Sequence, residues 1–178
     1  MSIERKPWIF ALAALALAGQ ALLSRGSLAT SGAVGSRAPE LSGEGWLNSP
    51  PQTLAGLASK VVLVEFWTFG CYNCRNVEPH VKEWHRRYAE RGLVVIAVHT
   101  PELPHERNVD DVRSYLHEHE IPYPVVVDNE FATWNRYGNN AWPAFYLVDK
   151  HGLIRFVRIG EGGYAETERT IEALLAES

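Results

Sequence analysis

Residues 61–66 form an almost continuous apolar run broken only by Glu65, the pattern of a central strand covered on both faces. After a short turn, Val77, Val81, Trp84 and Tyr88 recur at helical spacing, and Gly92 following Arg91 marks a stop. Pro79 removes one donor inside that helix and predicts a kink near its first turns. Residues 93–100 are apolar again and predict a second buried strand. Strand, helix and strand in this order predict a right-handed parallel crossover. Beyond a polar loop at 101–108, a helix is predicted over 110–120 with Val112 and Leu116 on one face. A short strand follows at 124–127, then a short helix over 130–137 presenting Phe131, Trp134 and Tyr137. Strands at 144–148 and 153–159 are joined by the turn 149–152, a hairpin signal. An amphipathic helix over 165–176 should bury Ile171, Leu174 and Leu175.

The N-terminal pattern is different. Arg5 and Lys6 precede an uncharged apolar run, 8–23, interrupted only by Gly19 and Gln20. Basic residues followed by such a run read as an export signal, and Ser27 and Ala29 fit the -3 and -1 positions of a cleavage site. Retention as a single membrane anchor also fits, although the run is shorter than the ~20 residues of a comfortable span. A buried core helix is a third reading, weakened because apolar residues cover every face. Residues 24–38 are rich in Gly, Ser and Ala and read as a tether. Residues 39–60 carry the Gly and Pro punctuation of a hairpin-like lead-in, with one helical turn at 54–58 and Trp46 and Leu47 packed on the sheet. The expected organisation is thus 1–23 signal peptide or anchor, 24–38 tether and 39–178 one α/β domain.

Composition narrows the function classes. With 46% hydrophobic and 21% charged residues, the 178-residue chain fits one globular domain plus an extension. Neither disorder nor a multi-span membrane protein fits. A net charge of -4 without a basic run argues against nucleic acid as a partner. The two cysteines, Cys71 and Cys74, are too close in sequence to staple distant parts of a fold. No second CxxC completes a structural zinc site, so a reactive pair is the better reading.

Cys71 falls where the strand gives way to the helix. The first amides of a helix lack internal partners and its dipole is positive there, so a thiolate is favoured. Cys74 lies one turn along and can face the same way, letting the pair open and close a disulfide with little backbone movement. Attack by an exposed Cys71 thiolate on a substrate disulfide would give a mixed disulfide for Cys74 to resolve.

The segments EFWTFGCYNC, GLVVIAVHTPE, IPYPVVVDNE, WPAFYLVDKHG and GEGGYAETER resemble the thioredoxin superfamily, in its exported TlpA-like branch. Within that branch the likeness is strongest to the thioredoxin-like C-terminal domain of DipZ-type proteins, and it extends from about residue 39 to the C-terminus. The resemblance implies a thioredoxin fold with an inserted helix and strand. It implies Cys71 as nucleophile, Cys74 as resolving thiol and a cis peptide before Pro143 facing the disulfide. It places Trp142 where the superfamily hydrogen-bonds an extended substrate strand, so a bulky side chain there should narrow which peptides fit. It also places Glu65 where many thioredoxins keep a buried acid, whose raised pKa would let it exchange a proton with Cys74. A solvent-facing Glu65 is the plainer alternative. Two positions depart from the pattern. Gly70 replaces the usual Trp before the first cysteine and should leave Cys71 less shielded, and Val77 stands where some exported reductases carry a glutamate.

Seven histidines raise the question of a metal. His117 and His119 are two apart on a helix and point in different directions. His99, ending a strand, could join Cys71 and Cys74 in a copper site like that of Sco-type chaperones, although those use a CxxxC spacing. His80 and His85 are expected on solvated helix positions, and His105 and His151 in loops or turns. Thr100, Pro101 and Glu102 could form a partner-binding rim, and Glu161 is a weaker candidate of the same kind. Trp84, Trp134 and Tyr137 are expected in the core.

These readings converge on an exported thiol-disulfide oxidoreductase, extracytoplasmic in the periplasm or at the cell surface, with no cofactor beyond its own redox-active disulfide and no metal. The resemblance implies a reductase of protein disulfides supplied by a membrane electron donor of the CcdA or DipZ kind. The Tyr72-Asn73 dipeptide agrees, since it offers no cation to stabilise a thiolate as in strong oxidants. Copper delivery and a non-catalytic binding module are the alternatives.

Overall fold

The computed structural model describes residues 32–178. Their sheet has six strands: β1 (Gly45–Leu47), β2 (Val61–Trp67), β3 (Leu93–His99), β4 (Val125–Val127), β5 (Ala144–Val148) and β6 (Ile154–Ile159). The helices are α1 (Tyr72–Tyr88), α2 (Val109–Glu118), α3 (Ala132–Tyr137) and α4 (Tyr164–Ala176). The strand order is β1-β4-β3-β2-β5-β6, with β2, β3 and β4 mutually parallel and the other pairings antiparallel. Every residue of β2 is buried, which is why its sequence shows a run rather than an alternation.

The faces of β2 nevertheless divide by parity. Val61, Leu63 and Trp67 join the core made with α1, α2 and α4, through Val77, Val81, Trp84, Val112, Leu116, Ile171 and Leu174. Val62, Val64 and Phe66 face the second core, with Trp134 and Tyr137 of α3 and Tyr146 of β5. The inserted elements are α2 and β4. β4 extends the parallel sheet and accepts β1 along its far edge, Trp46 pairing with Val126.

Local chemistry sets several boundaries. Gly92, at φ 106°, ends the short 3-10 turn that follows α1. Asn108 caps α2, its side chain accepting from the amide of Asp110 at 3.0 Å. The Asp128 carboxylate accepts from the amides of Thr133 at 3.0 Å and Trp134 at 2.8 Å, so α3 begins at Ala132 rather than at 130. In the β5–β6 turn, Asp149 accepts from the amides of His151 and Leu153, both at 2.9 Å, and β6 accordingly starts at Ile154. Leu175 is half-buried, while Thr167 takes a core place on α4.

Two expectations are corrected. The 24–38 tether does not hold over 32–38. Gly35 donates to Ile154 at 2.7 Å, Ile154 donates back to Ser36 at 2.9 Å, and Ala38 donates to Gly152 at 2.9 Å and is buried. Those residues dock on the start of β6, whose outer side would otherwise be an open edge, so the domain begins before residue 39. The lead-in is not a hairpin either: β1 pairs with β4, about 80 residues away in the chain, and a 3-10 turn (Ala55–Leu57) follows it. The expected signal or anchor at 1–23, and residues 24–31 of the tether, lie outside the described residues. Among the described residues no helix is long and apolar enough to cross a membrane.

Candidate active site

Strand β2 ends at Trp67 and the turn Thr68-Phe69-Gly70 delivers Cys71 to the start of α1. Cys71 is the N-cap, with extended backbone, and its Sγ accepts from the amide of Cys74 at 3.2 Å. The two cysteines form a disulfide across Cα atoms 5.2 Å apart. Cys71 keeps 8% of its surface accessible and Cys74 only 3%. The outer sulfur is therefore the one that sits on the unsatisfied helix amides.

Pro143 lies at the same end of the sheet. Ala144 pairs with Phe66, which brings the residue before it beside the cysteine turn, and the Trp142-Pro143 peptide is cis. Trp142 is anchored from two sides. Its Nε1 donates to the carbonyl oxygen of Thr100 at 2.9 Å, and its ring packs on Trp134 with centroids 4.2 Å apart.

Glu65 is 3% exposed, so it does not point to solvent. Its parity places it with Leu63 and Trp67 on the face that α1 covers with Cys74, Val77 and Val81. Burial, assisted by the negative charge of Glu78, pushes its pKa up to about 8.

Two carboxylates around this centre are absent from the sequence reading. Glu78 lies one turn beyond Cys74 and accepts from the Tyr115 hydroxyl at 2.9 Å, with Nδ1 of His119 at 3.1 Å and Nζ of Lys82 at 3.1 Å also upon it. Only its spacing from Lys82, four residues on, hints at this in the sequence. Glu106, in a 3-10 turn (Pro104–Arg107) within the expected loop 101–108, is fully buried. Its carboxylate accepts from the amides of Gly70 at 3.0 Å, Glu102 at 2.6 Å and Leu103 at 2.8 Å. A Cβ on residue 70 would overlap its Oε1. Gly70 thus does not leave a gap beside Cys71, because Glu106 occupies the space, and the expectation of a less shielded Cys71 is corrected.

His99 is fully buried with Nε2 3.2 Å from Thr68 Oγ1, stacked on Phe69 and edge-on to Trp67. Burial lowers its pKa to about 4, against an opposing pull from Glu106. With its ring enclosed in this way, His99 gives the copper alternative no support. Among the described residues no three His, Cys, Asp or Glu side chains are grouped to hold a metal ion. His80 is not simply solvated, since it stacks on Tyr164 with centroids 3.6 Å apart, and His85 is half-buried beside Tyr123. Of the supposed rim, Thr100 and Pro101 are buried and Glu102 alone is exposed. Glu161 accepts from Asn76 of α1 at 3.2 Å.

Residues 34–157 match the AhpC/TSA family. The chain belongs to that family. It is 32% identical over 141 residues to the thiol-disulfide oxidoreductase YkuV of Bacillus subtilis, covering 79% of this chain and 95% of YkuV. To the protein DipZ of Mycobacterium tuberculosis it is 44% identical over 142 residues, 78% of this chain but 20% of DipZ. The chain therefore spans about a fifth of the length of that relative. The crystal structure of the thioredoxin-like superfamily protein SPOA0173 superposes with a TM-score of 0.75 at 28% identity, covering 82% of this chain and 99% of that one. This AhpC/TSA member therefore has the thioredoxin-like fold of the TlpA-like branch. Its fold and its Cys71–Cys74 pair are similar to those of proteins named thiol-disulfide oxidoreductases.

Proposed function

We propose that this protein is a thiol-disulfide oxidoreductase that works outside the cytoplasm as a reductase of protein disulfides, recharged by a membrane electron donor of the CcdA or DipZ kind. The observation that carries the catalytic assignment is the asymmetry of the pair. Cys71 is the outer sulfur and accepts the helix amide of Cys74, while Cys74 lies deeper, on the core face shared with Glu65.

In the forward direction the Cys71 thiolate attacks one sulfur of the substrate disulfide. That bond breaks, a Cys71–substrate disulfide forms, and the departing substrate thiolate takes up a proton. Glu65, in the fraction that is ionised below its pKa of about 8, receives the proton of Cys74, whose thiolate attacks the Cys71 sulfur. The Cys71–substrate bond breaks, and the second substrate thiolate leaves and takes up the proton that Glu65 gives back. The substrate gains two electrons and two protons, and the Cys71–Cys74 disulfide closes. Trp142 and Pro143 border the same end of the sheet and would receive the extended substrate segment.

The absence of a cationic side chain at Tyr72 and Asn73 supports the reductase direction. Arg5, Lys6 and the apolar run after them support export. Equilibration of the pair with glutathione tests the direction. A potential near thioredoxin's, about -270 mV, is expected, whereas one near DsbA's, about -120 mV, would overturn it. Labelling of Cys71 in intact cells by a membrane-impermeant thiol reagent tests the location, and labelling only after lysis would place the protein inside.

A further inference from the structure

Glu106 is a fully buried acid that the exchange chemistry above does not use, yet it grips the turn that carries the nucleophile. Both of its oxygens are engaged. Oε1 takes the amide of Gly70, and Oε2 takes the amides of Glu102 and Leu103. Each of these contacts asks the carboxyl only to accept, the capacity of a carboxylate and not of an amide. The grip joins two segments far apart in sequence: the residue immediately before Cys71, and the loop after β3 that leads into the inserted helix α2.

The fit is mutual. Any side chain at position 70 would displace Oε1, so glycine there is what admits the acid. Gly70 has no left-handed backbone angle that would otherwise require glycine. The steric reason for this glycine is therefore the carboxylate, and the turn it secures also holds Thr68, whose carbonyl accepts from the amide of Cys71 at 3.3 Å.

We propose that Glu106 is a positioning residue for thiol-disulfide exchange: it fixes the turn before Cys71 and sets a buried negative charge beside the nucleophile. Two effects follow. Tying the Gly70 amide holds Cys71 at the first turn of α1, where the Cys74 amide reaches its sulfur. The nearby charge opposes formation of a second anion at Cys71, so the thiol ionises at higher pH than the helix terminus alone would set. A nucleophile held as a less stabilised thiolate suits a reductant. The inference rests on the oxidoreductase reading and deepens it.

The test is the pH profile of Cys71 alkylation in the reduced protein, alongside reduction of a model protein disulfide. Glu106→Gln keeps the shape, removes the charge and turns one amide donor toward backbone donors. Gly70→Ala keeps the acid but forces it off the turn. Glu106→Gln should move the Cys71 profile to lower pH, with about tenfold more thiolate below the midpoint. Gly70→Ala should move it in the same direction, and the double variant should shift no further than the larger single one. A folded Glu106→Gln protein with the wild-type profile overturns the inference, as do fully additive shifts. If Glu106→Gln fails to fold, Gly70→Ala decides, and an unmoved profile overturns the inference. Wild-type protein unable to reduce any disulfide would instead overturn the oxidoreductase reading, so the two failures are distinct.

Discussion

The indole of Trp142 donates to the carbonyl oxygen of Thr100 at 2.9 Å, tying the residue before the cis-proline to the end of the strand that leads into the inserted segment. The bond fixes the ring against Trp134, so Trp142 contributes a rigid wall to the site.

Replacing Trp142 by Phe keeps an aromatic surface against Trp134 and removes the donor. The loss of one such bond costs about 1 kcal/mol, a fall in Tm of roughly 2–4 °C for a domain of this size. Thermal unfolding of the oxidised protein measures it, and an unchanged Tm would mean the bond contributes nothing.

Glu65 and His99 act on stability in opposite directions. The folded state holds the Glu65 proton up to about pH 8, whereas an ordinary carboxyl releases it near 4.5. Between these values the unfolded chain binds fewer protons, so stability falls with rising pH at about 1.4 kcal/mol per unit. His99 is neutral in the fold down to about pH 4, against 6.5 when unfolded. Its contribution is present above 6.5 and is lost as pH falls toward 4. From 4.5 to 6.5 the two slopes oppose, leaving wild type nearly flat on their account, and from 6.5 to 8 only the Glu65 slope remains. Glu65→Gln should therefore lose the decline between 6.5 and 8 and become acid-labile between 6.5 and 4.5. Urea midpoints at pH 5, 6.5 and 8 test this, and parallel wild-type and variant curves would contradict it.

The same Glu65→Gln variant should fold and yet exchange thiols more slowly at neutral pH, by about tenfold to a hundredfold, since general acid–base catalysis of Cys74 is lost. Single-turnover reduction of a model disulfide reads this directly. A wild-type rate would remove Glu65 from the mechanism.

Cys74→Ser should accumulate mixed disulfides with its substrates through Cys71, because the resolving thiol is missing. Non-reducing gels of the full chain in its own compartment would display them. Equal trapping on Cys71→Ser would reverse the assignment of the two sulfurs.

Removing residues up to 38 should cost about 2 kcal/mol relative to a chain that begins at 32. Three backbone hydrogen bonds to β6 and its turn are lost, along with the burial of Ala38, against regained chain entropy. Denaturant unfolding of the two chains compares them, and equal midpoints would return 32–38 to the status of a tether.

The strand at 61–66, the helix after it, the helix and strand that follow and the closing hairpin were legible in the sequence, because each carries its own apolar period or turn residue within a few positions. The sequence also exposed the cysteine pair, since CxxC between a buried strand and a helix needs only local order. The buried placement of Glu65 came from the resemblance, which sets it where many thioredoxins keep a buried acid; the apolar run alone left a solvent-facing side chain open.

What the sequence could not show depends on distant partners. The docking of 32–38 on β6 and the pairing of β1 with β4 join segments whose local composition reads as loop. Glu106 looks like any loop acid until the fold carries it against Gly70, 36 residues away in the chain. His99 likewise invites a ligand role until Thr68, Phe69 and Trp67 enclose its ring. Periodicity records which face of an element is buried and is silent about what meets it there. For Glu106, whose three donors come from two separate turns, only the packed tertiary structure supplies the answer.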